Sequence, residues 1–79
     1  MSLTPNTWYL VTYGGSSFIG MYRAFKPLHR DTFNDYLDGS RFLLPNMRTV
    51  RRVNEAQATF IELQGTLPDI LSQHPEYFV

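Results

Sequence analysis

Cysteine is absent from this 79-residue chain. That excludes disulfides, thiolate metal sites and cysteine nucleophiles, and with them the small secreted disulfide scaffold. Long apolar runs are missing too. The longest, Trp8-Tyr9-Leu10-Val11, is far too short to span a membrane. The opening Met1-Ser2-Leu3-Thr4-Pro5 lacks the basic and apolar regions of a signal peptide, so a cytoplasmic location is expected. Charged residues are scarce at 18%, and the formal net charge is zero, so no bulk field draws the chain to nucleic acid or membrane. Against these absences stand 43% hydrophobic residues and 15% aromatics, enough for a packed core. A chain of this size buries only about 60% of its unfolded surface. One domain over residues 1–79 is therefore expected, with 1–6 a flexible N-terminus and 66–79 a C-terminal helix and tail.

The neutral total hides a segregation. Residues 1–22 carry no charged side chain. All seven basic residues (Arg23, Lys26, Arg30, Arg41, Arg48, Arg51, Arg52) lie between 23 and 52, with Asp31, Asp35 and Asp38. Residues 53–79 hold only acids: Glu55, Glu62, Asp69 and Glu76. Six of the seven bases are arginine, whose flat guanidinium suits bidentate and stacked contacts.

Thr7–Tyr13 is β-branched and aromatic, which predicts a strand. Gly14-Gly15-Ser16-Ser17 supplies the positive φ angles of a tight turn. A second strand follows from Phe18 to about Phe25, stopped by Lys26-Pro27. Both parities of this hairpin are apolar, so each face needs a cover. Asp31–Asp38 reads as a short helix, with Asp31 or Thr32 as cap and Gly39 as stop. Phe42–Leu44 predicts a strand. So does Arg48–Asn54, although Val50 and Val53 lie three apart, which hints at a helical turn or bulge. Ala58–Leu63 is a fifth strand with Thr59, Ile61 and Leu63 on one face. A last helix starts near Thr66, whose hydroxyl is placed to cap it, and runs to about residue 73. The fold class expected is mainly β with short helices, a compact five-stranded barrel.

Gly15-Ser-Ser-Phe18-Ile-Gly20-Met-Tyr22-Arg-Ala-Phe25 resembles the first strand pair of Sm-like barrels, whose pattern is Gly, two residues, apolar, any, Gly, any, apolar, two residues, Phe. Leu43-Leu44-Pro45-Asn46-Met47-Arg48-Thr49-Val50 is similar to the closing strand, turn and strand of SH3-like and Sm-like barrels. The resemblance implies such a barrel, with Gly20 at a bend. Lys26 replaces the pattern's Asp, His29 and Arg30 replace its RNA-contacting apolar–Asn pair, and Pro45-Asn46 replaces its Arg-Gly. RNA binding is therefore not carried across.

No constellation joins a nucleophile, a base and an orienting group, so no catalytic residue, metal ligand or cofactor is expected. Ser16 and Ser17 lack the spacing of a nucleophile elbow and read as turn residues. His29 with Asp31 and Asp35 is the only metal-like grouping, and Asp31 is better explained as a cap. His74 reads as a solvated helix end. Arg41, Arg48, Arg51 and Arg52, with Lys26 and Arg30, are the candidate partner-binding residues, although Arg51 and Arg52 must face opposite ways on a strand. Tyr9, Val11, Tyr13, Ile19 and Met21 are the candidate self-association surface, most simply of a twofold dimer. The function expected is a small non-enzymatic protein-interaction module: an adaptor, inhibitor or subunit, for example an accessory protein of a mobile element. The alternative is a single-stranded RNA- or DNA-binding module that stacks bases on Tyr9, Tyr13, Tyr22, Phe42 and Phe60.

Overall fold

The structure is a computed structural model, and it describes residues 3–23, 40–46 and 48–77. Five strands form one antiparallel sheet: β1 (Trp8–Tyr13), β2 (Ser16–Arg23), β3 (Ser40–Leu43), β4 (Val50–Val53) and β5 (Thr59–Glu62). A 3-10 turn, Glu55–Gln57, separates β4 from β5. Helix α1 (Leu67–Gln73) and a second 3-10 turn, Pro75–Tyr77, follow. The strand order is β4-β3-β2-β1-β5, so β1 to β4 meander and β5 returns to the free side of β1. The predicted helix over 31–38 lies outside the described residues.

The β1–β2 turn sets the faces of the sheet. Gly14 (φ 62°) and Gly15 (φ 81°) both take the left-handed conformation that a two-residue hairpin loop requires. Tyr13 therefore opposes Ser16, and each odd residue of β1 opposes an even residue of β2. Tyr9, Val11 and Tyr13 share a face with Phe18, Gly20 and Tyr22, while Trp8 and Leu10 share the other with Ile19 and Met21. The expected single surface of Tyr9, Val11, Tyr13, Ile19 and Met21 is thus corrected: those residues are divided between two faces.

The first face buries Tyr9, Val11, Phe18, Phe42 and Val53, with Tyr22 and Phe60 packed against them. The Phe42 ring stacks on Phe60 at 5.6 Å and meets Phe18 edge-on at 6.1 Å. Phe42 on β3 and Phe60 on β5 have two strands between them. A flat sheet would hold those strands about 14 Å apart, three steps of roughly 4.8 Å. The sheet therefore curls around this aromatic core. It stays open, with β4 and β5 as its ends, where a closed barrel was expected. Gly20 allows β3 to come close: a Cβ there would lie 2.8 Å from the Phe42 Cβ. Close approach of Phe42 is a demand the structure places on this glycine.

The second face is covered from within the chain. Ile70 of α1 packs on Trp8 and Ile19, with Leu10, Met21, Leu63, Leu67 and Leu71 around them. Thr59, Ile61 and Leu63 share this face, as expected; Leu63 joins the helix-side core, but Ile61 is 59% exposed. Val50 and Val53 fall on opposite faces of a regular strand, so no helical turn or bulge occurs there. The Thr66 hydroxyl donates to the Asp69 carboxylate (2.9 Å) and makes no bond to the helix backbone, so it is not the expected cap. From Leu3 onward the N-terminal lead-in is tied down. Leu3 packs on the first core, the Thr4 N–H donates to the Tyr9 hydroxyl (2.8 Å), and the Asn6 N–H donates to the Tyr22 carbonyl (2.9 Å).

Candidate interaction surface

Two registers bring arginines together. Arg23 on β2 opposes Arg41 on β3, and Arg41 opposes Arg52 on β4. Three guanidinium side chains therefore form a line across adjacent strands on one face, the face that α1 covers further along β1 and β2. Directly opposed like charges are unfavourable in a sheet unless other groups compensate them. Arg23 was not among the predicted partner-binding residues. The β2–β3 pairing that recruits it is a tertiary fact with no local sequence signal.

Arg51 leaves this line. It opposes Phe42, and its guanidinium carbon sits 4.5 Å from the centre of the Phe18 ring. Its Nη2 donates to the Ser16 hydroxyl at 3.4 Å. Arg51 therefore lies across the mouth of the aromatic core, on the opposite side from Arg52, as strand alternation requires. Arg48 is exposed in the β3–β4 turn. The Asn46 side chain shapes that turn, accepting from the Arg48 N–H (3.0 Å) and the Thr49 N–H (3.1 Å). Lys26, His29, Arg30, Asp31, Asp35 and Asp38 lie outside the described residues.

Two carboxylates of the acidic half accept from hydroxyl groups. Glu55 accepts from the Ser40 hydroxyl (2.9 Å), which docks the 3-10 turn on β3, and Asp69 accepts from Thr66. The predicted stacking platforms are spent on folding: Tyr9 and Phe42 are buried, and Tyr13, Tyr22 and Phe60 are half-buried against the same core. Of the predicted self-association residues, Tyr9, Val11 and Ile19 are buried within the chain, while Tyr13 and Met21 pack on opposite cores.

Ser16 and Ser17, expected in the turn, instead begin β2 opposite Tyr13 and Thr12, and both take structural partners. Ser16 donates to the Tyr13 carbonyl (3.3 Å), and Ser17 shares a 2.9 Å bond with the Thr12 hydroxyl. His74 ends α1, its N–H donating to the Ile70 and Leu71 carbonyls, with its ring 3.8 Å from Glu76. Among the described residues no three histidines or acids gather as a metal set, and no helix is long and apolar enough to cross a membrane. Comparison with protein-family models, curated proteins and solved structures finds no match to this chain. The geometry of the surface itself carries the functional argument.

Proposed function

We propose that this chain is a small non-enzymatic interaction module that docks an acidic surface of a protein partner on β2, β3 and β4. The observation that supports it is the cross-strand line Arg23–Arg41–Arg52, beside the exposed Arg48. Arginine-rich surfaces beside apolar side chains are favoured in protein interfaces. The nucleic-acid reading is the weaker one, because it relies on aromatic faces that are packed into the core.

Affinity capture from the source cell, read by mass spectrometry, tests the proposal. The chain is compared with an Arg48→Glu/Arg52→Glu variant and with a Glu62→Lys control. Arg51 is left in place because it packs on Phe18. Partners should disappear with the arginine variant and persist with the control. Identical capture by all three overturns the reading. Capture that vanishes on nuclease treatment and falls log-linearly with salt transfers it to nucleic acid.

A further inference from the structure

The Leu63 N–H donates to the Trp8 carbonyl at 3.0 Å, which makes Trp8 and Leu63 a bonded pair of the β1–β5 ladder. Bonded and non-bonded pairs alternate in an antiparallel ladder. Leu10–Ile61 and Thr12–Thr59 are therefore bonded, and Tyr9–Glu62 and Val11–Phe60 are not. The main-chain N–H and C=O groups of Phe60 and Glu62 consequently point away from β1. Among the described residues β1 is the one sheet neighbour of β5, and Thr59–Glu62 makes no hydrogen bond outside that pairing. Thr59, Ile61 and Glu62 are exposed. Ile61, at 59%, is the more exposed of the two exposed large hydrophobics among the described residues. No proline, glycine or basic residue stands in Thr59–Glu62 to obstruct pairing.

Register and charge select the occupant. Outward-pointing residues must meet outward-pointing residues, so a twofold antiparallel pairing of β5 with itself centres on Phe60, Ile61 or Glu62. The centre at Glu62 sets that carboxylate against itself, which is unfavourable. The centre at Phe60 sets Ile61 against Thr59 and carries Glu62 past the strand to Ala58. The centre at Ile61 pairs Phe60 with Glu62 and Thr59 with Leu63, and opposes no like charges. It also brings the two Ile61 side chains together in a non-bonded pair, where side chains lie closest. β5 is therefore complementary to a second copy of itself. Both copies then carry α1 on the same face, the face of the Ile61 pair.

We propose that two copies of the chain join through β5, antiparallel about Ile61, so that their sheets run on as one. Main-chain bonds of Phe60 and Glu62 supply affinity, and the Ile61 contact fixes the register. None of these residues belongs to the basic surface, so the inference stands independently of the acidic-partner reading.

The absence of cysteine supplies a direct test. Ile61→Cys in the full chain sets two thiols opposite each other at the axis. Cα atoms of a non-bonded pair lie about 4.5 Å apart, within disulfide reach. Under mild oxidation this variant should form a disulfide-linked dimer at least tenfold faster than Val50→Cys, which places its thiol on β4. In sedimentation, the chain without substitution should rise from one monomer mass towards two as concentration increases. Ile61→Lys should hold it at one, with an unchanged thermal melt in dilute solution. Amide exchange at Phe60 and Glu62, followed by NMR, should slow over the same concentration range. A monomer mass up to millimolar concentration, or equal cross-linking of the two cysteine variants, overturns the proposal. So does a dimer that Ile61→Lys leaves intact. Phe60 and Glu62 amides protected equally at every concentration also overturn it, because the chain then covers its own edge.

Discussion

Gly20 shows how tightly the aromatic core is packed. Gly20 is buried with the Phe42 Cβ where its own Cβ would go, and the obstacle is the base of a side chain, which cannot swing away as a flexible tip would. Gly20→Val should destabilise the fold by about 1–3 kcal/mol through this crowding, measured by urea unfolding; an unchanged midpoint would refute the close approach. Thr66 gives the opposite kind of test. Its hydroxyl bonds to Asp69 rather than to the helix backbone. Thr66→Val should therefore cost well under the roughly 1 kcal/mol typical of a lost N-terminal cap. A loss of that full size would show that the hydroxyl does cap α1 in solution.

At the scale of elements, the sheet depends on α1. A seven-residue helix has little stability alone, so its formation rests on packing Ile70 between Trp8 and Ile19. Ile70→Ala should cost about 2–5 kcal/mol and admit water to Trp8. Trp8 is the only tryptophan in the chain, so its emission should shift to the red. Unshifted emission would mean that α1 does not cover this face. The strands themselves were readable in advance, because β-branched and aromatic runs between glycine and proline breaks predict strands. Thr7–Tyr13 became Trp8–Tyr13, Ala58–Leu63 became Thr59–Glu62, and the helix expected near 66–73 became Leu67–Gln73. Which parity of β2 joined which parity of β1 was misread. It hinges on one residue of register, and a single step exchanges every side chain between faces.

For the whole molecule, both apolar faces of the hairpin are satisfied inside the chain, one by sheet curl and the other by α1. Val11 has no exposed surface. Val11→Asp should therefore abolish cooperative thermal unfolding rather than turn a dimer into a folded monomer. Melting followed by light scattering distinguishes the two, and a well-folded monomeric variant would restore the face-to-face interface. The proposed partner surface is the arginine-bearing side of β2, β3 and β4.

Local sequence was enough for the mainly β class, the glycine turn, the terminal helix and the concentration of positive charge between residues 23 and 52, because propensity, turn geometry and composition act over a few residues. Tertiary pairing decided the rest. The opposition of Arg23, Arg41 and Arg52 depends on registers between strands that are distant along the chain. The turning of Arg51 onto Phe18 and the burial of the aromatics depend on how far the sheet curls. Curl and register follow from the summed packing of all five strands and α1, so no segment read alone contains them.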